Sequence, residues 1–496
     1  MRSEHLFLAL VCAACGTPSP AATPRASAMP YRVCDEARPC ARDQECVEGL
    51  CLARCGAGGA CREENVCWAG ECRETCDAQH SCNEGYRCGD DAECHYDPCG
   101  SITLWPYSIR SSSLPLLAHY RDPAEEPEAR VALAAAEEGW RIQTTRFGFD
   151  APLSDEGRCG PDGALDVFVW RTFRACVSDV ACEVERTPHD DRANYLIVDP
   201  YGPYGGEHLR ATVAHELHHA MQAVHDWNET PIAFEMSAQL IESLIAPEEA
   251  TWPTYFTEYQ QHADWSFDHD DHYTTWYMYG SALYLHFLRD RVFTGAMQDR
   301  FLSEVWRGCR NPPGDNEPDL IDALDAVLRA HASIDFEESL ARFARARWYT
   351  GTRDDGAHFR AGARMPAEAM VPVRELAAPP EELREGPMLL GTHYVRVRDA
   401  RARGAAGSSQ SELRIRFDGD PRVRWRIEAR PGLAAGTDGD TISLDARGEL
   451  RVPTAEGERT LAILALPRDP ADWDPDRRTD ARFSYRLEAL SPAGAP

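Results

Sequence analysis

The chain of 496 residues contains no lysine: all 52 of its basic residues are arginine. We read this as a compositional bias rather than as chemistry. Positive charge is also outweighed, because 81 acidic residues leave a formal net charge of −29. Nucleic acid and anionic membrane surfaces would repel such a chain, so neither is expected as a partner. Long apolar runs are missing too. Beyond a short N-terminal stretch, nothing approaches the ~18 apolar residues that a spanning helix needs. Cysteine, by contrast, is plentiful. Nineteen Cys would be unusual in a cytosolic enzyme and suit an oxidising compartment, where disulfides persist. A hydrophobic content of 43% permits a real core, and the length permits two or three domains.

At the N-terminus, Arg2 supplies one positive charge, Leu6 to Ala14 is a short apolar stretch, and Cys12-Ala13-Ala14-Cys15-Gly16 closes it. A run rich in Pro, Ser, Thr and Ala continues to about Met29. Small residues before a Cys, followed by a tether, resemble a bacterial lipoprotein signal. The resemblance implies lipidation of Cys15 and an anchor at the outer membrane or cell surface. Plain secretion is the alternative. Either way export is expected, with residues 1–15 as signal and 16–33 as a disordered tether.

Residues 34–99 contain an internal repeat. Cys34, Cys40, Cys46 and Cys51 recur as Cys55, Cys61, Cys67 and Cys72, and again as Cys76, Cys82, Cys88 and Cys94. Units of about 21 residues hold too little apolar mass for a core, so two disulfides per unit are expected to stabilise each one. Four Cys allow three pairings, and the spacing does not choose among them. Zinc binding is the competing reading, but zinc favours closer C-x2-4-C pairs. The module resembles Cys-rich repeats that precede catalytic domains in exported bacterial proteins, as a spacer or a binding stalk. Cys99, Cys159, Cys176, Cys182 and Cys309 remain, an odd number. Cys176 and Cys182 are expected to pair, which leaves one of the other three as a thiol.

Residues 100–365 mix α and β patterns, so the fold class expected is α+β. Helices are predicted over about 124–146, 207–225, 231–245, 279–291, 318–331 and 335–348. Asp166 to Trp170 and Asn194 to Val198 read as short buried strands. Residues 199–206 are a loop by composition. From 366 to 496, alternating runs such as Tyr394 to Val397, Leu413 to Phe417 and Leu461 to Leu466 are separated by Gly, Asp and Pro. That pattern suggests a β-sandwich.

The chemistry concentrates in His215-Glu216-Leu217-His218-His219. Neither Gly nor Pro interrupts Ala211 to Val224, so a helix is predicted there. Residues i and i+4 share a helical face, so His215 and His219 can reach one metal ion. Glu216 lies one position on, placed to act as general base on a metal-activated water. An exposed polar helix turn could carry the same five letters, so the flanking sequence has to decide. Thr230-Pro231 reads as a capped helix start, and Glu235 then falls among apolar neighbours, where an unpaired carboxylate is costly. A metal is its natural partner. Glu242, seven residues on, could hydrogen-bond a ligand imidazole, with a solvated helix residue as the equal alternative.

H-E-x-x-H followed by a helix with E-x-x-A-x-x-x-E (Glu235, Ala238, Glu242) resembles the gluzincin metallopeptidases. The continuation His219-Ala220-Met221-Gln222 resembles a group of exported bacterial enzymes of that kind. Over residues 115–350 this implies a zincin-like domain, with Zn2+ on His215, His219 and Glu235 and with Glu216 catalytic. The 15 residues between His219 and Glu235 are fewer than in thermolysin-like members, so the connection must be tight. Tyr277-Met278-Tyr279-Gly280 resembles the Tyr-x-x-Gly segment of aminopeptidase-type gluzincins, whose Tyr stabilises the oxyanion. Tyr277 holds that position and Tyr279 competes for it; ordinary aromatic packing is the plainer reading of both.

His225 is a rival third ligand, since His215, His219 and His225 have the metzincin spacing. Metzincins place Gly where Gln222 stands, and a continuing helix would leave His225 about 80° off the ligand face. His218 is expected to point away from that face. Asp268-His269-Asp270-Asp271-His272 could hold calcium or a second metal, but it lacks the regular oxygen-ligand spacing, so a solvated acidic loop is the favoured reading. The strand at 194–198 would be the edge along which an extended substrate lies. The sequence thus predicts an extracytoplasmic zinc endopeptidase acting on protein or peptide. No G-A-M-E-N-like segment supports an aminopeptidase. The alternative from another class is a surface-binding lipoprotein with a vestigial zincin domain.

Overall fold

The computed structural model describes residues 97–170, 188–201, 206–249, 252–269, 276–313, 317–360, 362–366, 370–375, 386–398, 411–429, 448–454, 458–469 and 481–490, together with several short strands outside these ranges. The signal segment with Cys15, residue Cys182 and parts of the loops at 199–206 and 268–272 lie outside the described residues. Among those described, no helix is long and apolar enough to cross a membrane.

The repeat is visible as three antiparallel hairpins, Gln44–Val47 with Leu50–Ala53, Asn65–Trp68 with Glu71–Glu74, and Tyr86–Cys88 with Cys94–Tyr96. In each hairpin the third and fourth Cys of the unit are register partners: Cys46 with Cys51, Cys67 with Cys72, Cys88 with Cys94. Arg32–Val33 pairs antiparallel with the strand Leu50–Ala53, so the last two residues assigned to a disordered tether belong to a sheet.

The chain divides into two compact units. The first comprises Met1–Asn228, Ile241–Ala250 and Asn311–Asp315, and the second holds the rest. The first is built on a five-stranded sheet: β1 (Tyr107–Arg110), β2 (Leu116–Tyr120), β3 (Leu165–Val169), β4 (Cys176–Asp179) and β5 (Asn194–Val198), in the order β4-β5-β3-β2-β1. β2, β3 and β5 run parallel and are buried along their whole length, as continuous apolar runs on a parallel sheet should be. Helix α1 (Glu126–Ile142) makes the crossover from β2 to β3. A reciprocal cap precedes it, in which Asp122 accepts from the Ala124 amide and Glu125 accepts from the Asp122 amide. Its buried stripe of Ala129, Ala132, Leu133, Ala136 and Trp140 follows the helical period. One expectation is corrected here. β5 is an inner strand, and β4, antiparallel to it, is the terminal one, because the chain after β3 doubles back before β5.

Helices α2 (Leu209–Gln222) and α3 (Pro231–Ile245) follow β5. α3 starts at Pro231, with the Thr230 carbonyl accepting from the Ala233 and Phe234 amides.

The second unit contains α4 (Trp252–Gln261), α5 (Tyr277–Gly280), α6 (Ala282–Phe287), α7 (Met297–Gly308), α8 (Leu320–Ala332) and α9 (Phe336–Ala346). Asp319 and Asp335 cap α8 and α9 through their carboxylates. Two sheets complete this unit. One has strands at Arg374–Glu375, Thr392–Arg398, Arg424–Ala429, Asp440–Thr441 and Glu458–Leu466; the other has Glu381–Leu383, Ser411–Gly419, Glu449–Thr454 and Tyr485–Ala489. Val395, Ile427 and Ile463 of the first share one core with Phe417, Val452 and Leu487 of the second. This is a sheet-on-sheet layer of the kind the alternating pattern suggested. The helices and these sheets fall within one compact unit. Glu428, fully buried in the first sheet, pairs with Arg345 of α9 at 2.6 Å. The molecule as a whole is α+β.

Candidate metal centre

The motif residues sit in the middle of α2, where His215 and His219 stand one turn apart with ring centroids 4.8 Å from each other. α3 is a single continuous helix. It carries Glu235 near its start and Glu242 two turns later on nearly the same face. One ligand atom each from His215, His219 and Glu235 lies within 4.8 Å of the others. All three side chains are buried, at 5%, 1% and 0% exposure, and Glu216 is buried with them.

Both imidazoles are held from behind. Glu242 Oε2 lies 3.2 Å from Nδ1 of His215, and Gln222 Oε1 lies 2.7 Å from Nδ1 of His219. An acceptor at each Nδ1 favours the proton there and leaves the Nε2 lone pair for a metal. Burial, then the nearness of His215, lowers the His219 pKa well below the usual 6.5, the direction that favours the neutral ring a metal needs. The two holding side chains were unequally legible. Glu242 was expected from its register, whereas Gln222 was noted only as part of a family resemblance.

α1 fixes the rear of α2. Gln143 Nε2 donates to the Ala214 carbonyl at 3.1 Å, while its Oε1 accepts from His218 Nδ1 at 2.8 Å. His218 therefore points away from His215 and His219, fully buried in a T-shaped contact with Phe149, as predicted. Arg210 clamps Glu138 with two bonds of 2.6 and 2.8 Å and reaches Glu248 at 2.7 Å. α2 ends at Gln222, and the His225 amide turns back to the Gln222 carbonyl. The His225 ring is buried with Nε2 3.8 Å from Asp150, outside the cluster, so the metzincin spacing is not realised as a ligand set.

Both tyrosines are packed among aromatic rings. Tyr277, fully buried, donates its hydroxyl to the Ser266 carbonyl at 2.5 Å and packs on Tyr259 and Trp265. Tyr279 packs against Tyr255 and Trp276. Aromatic packing, the plainer reading, describes both rings.

A second buried polar pair had no local signature: His119 Nε2 lies 2.6 Å from Asp166 Oδ1, across β2 and β3. Burial pushes the Asp166 carboxyl up to about 6 despite this partner. Nearby Cys159 is joined to Cys99 in a disulfide, and Cys309 is a buried thiol 3.4 Å from the Val305 carbonyl.

Two imidazole nitrogens and one carboxylate oxygen are a donor set that zinc favours, whereas calcium and magnesium prefer oxygen alone. His215, His219 and Glu235 could therefore hold a zinc ion. No protein-family model matches this chain, and no curated protein matches it.

Proposed function

We propose that the chain is a gluzincin-like zinc peptidase working outside the cytoplasm, with His215, His219 and Glu235 as ligands and Glu216 as general base. The observation that carries the reading is the convergence of two imidazoles and a carboxylate with each ring held through Nδ1 by its own acceptor. A vestigial surface has no use for that second layer of support. Three protein ligands would leave zinc a free position, and zinc supplies Lewis acidity there, acidifying water and polarising a carbonyl.

The chain's own residues would do the rest. Glu216, following His215 on α2, would take a proton from water at its carboxylate and return it to the leaving amine. Burial of the ligand residues keeps bulk water from competing with substrate. The terminal strand β4 offers main-chain groups along which an extended peptide could pair, which fits an endopeptidase. The Tyr277 hydroxyl is bonded to Ser266 and both rings pack among aromatics, so the proposed mechanism depends on neither Tyr277 nor Tyr279. The Cys99–Cys159 disulfide suits an exported protein, and Cys15 is the proposed lipid anchor.

The test is metal analysis and casein proteolysis of the full chain beside Glu216→Gln. We expect one zinc in each and proteolysis only with Glu216 present. Equal activity in the two would remove Glu216 from the mechanism. A chain that binds no zinc would remove the peptidase.

A further inference from the structure

We propose that the start of α8 is a second cation site, separate from the zinc centre, in which Glu317, Asp319 and Asp322 hold a divalent ion of the calcium type. One carboxylate oxygen from each of these residues lies within 4.8 Å of the other two. Exposed acidic groups often cluster without a ligand, but Asp319 is not exposed. It is 1% accessible. Its Oδ1 caps the helix, accepting from the Ile321 and Asp322 amides at 2.8 and 3.0 Å. Its Oδ2 is buried without a hydrogen-bond partner. A buried carboxylate oxygen left over after the cap is complete, with two further carboxylates beside it, calls for a cation.

The helix dipole opposes a cation at this end, but it amounts to only about half a positive charge against three carboxylates. An all-oxygen set favours a hard ion over zinc. Glu317 and Asp322 are exposed, so the ion could exchange with solvent.

The site would also brace a neighbouring element. Glu229 Oε2 accepts from the Leu320 amide at 2.8 Å, and its Oε1 accepts from the Thr230 amide at 2.7 Å. One carboxylate thus ties the first turn of α8 to the residue preceding α3. An ion at Asp319 would stiffen both.

Equilibrium dialysis of radioactive Ca2+ against the full chain, with zinc held saturating, tests this. Asp319→Asn keeps a good helix cap while replacing the leftover oxygen, and the exposed Glu317→Gln guards against a folding failure. We expect the unmodified chain to bind one more Ca2+ than Asp319→Asn, with Kd in the roughly 10⁻⁴–10⁻³ M range of extracellular modules. Glu317→Gln should bind that ion about tenfold more weakly. Equal stoichiometry and affinity in all three proteins would overturn the proposal, as would no binding by the unmodified chain at ~10 mM Ca2+.

Discussion

Glu242 touches no proposed substrate group, yet it decides how the His215 ring is aimed. Without its carboxylate the ring can rotate and the proton can move to Nε2, which removes the lone pair a metal needs. We expect Glu242→Ala to weaken zinc binding about 10–100-fold, measured by competition with a chelator. Unchanged affinity would mean that the 3.2 Å contact is incidental. Tyr277 makes the opposite case. Its hydroxyl is already spent on Ser266, whose carbonyl also accepts from the His269 amide. Tyr277→Phe should therefore cost about 1 kcal/mol of stability and leave kcat within about twofold. A fall in kcat of about 100-fold with unaltered stability would return the oxyanion role to Tyr277.

At the scale of elements, helix starts were readable because a few residues carry them. α3 begins at Pro231 as the Thr-Pro pair predicts, and α8 and α9 begin behind Asp319 and Asp335. α4 and α7 went unread, although Phe301, Leu302, Val305 and Trp306 of α7 are buried at helical spacing. β4 was missed because a four-residue strand between loops has no period to detect. The order of strands in the sheet was equally hidden, since pairing between distant segments leaves no local trace. The grouping of His215, His219 and Glu235 was more legible: the two His share one helical turn, and Glu235 sits near the start of a helix among apolar residues. Gly280 shows why propensity alone misleads. A Cβ there would stand 2.5 Å from the Tyr255 carbonyl oxygen and 2.6 Å from Tyr259 Cβ. Gly280→Ala gains at most about 1 kcal/mol of helix propensity and should lose about 1–3 kcal/mol to overpacking. The net is a less stable protein in urea melts. A more stable one would show that α4 and α5 can move apart.

For the molecule as a whole, the repeat and the alternating C-terminal strands were legible as separate textures in the sequence. The grouping of α4–α9 with those strands was not. It depends on contacts such as Arg345 with Glu428, which join residues far apart in the chain. The Cys99–Cys159 bridge is a further long-range tie, with a sequence separation of 60. Closing a loop of that length removes enough unfolded-chain entropy to stabilise by roughly 4 kcal/mol. The double substitution Cys99→Ser, Cys159→Ser should lower the thermal midpoint by several degrees, and a midpoint that stays put would assign the bridge no such role. The bridge also decides where the chain may be cut. A fragment trimmed to begin at residue 100, the boundary that composition suggests, would leave Cys159 as an orphan sulfhydryl, ready to cross-link two fragments or to capture the wrong cysteine during oxidative refolding. The covalent frontier of the five-stranded sheet and its helices therefore lies upstream of Cys99.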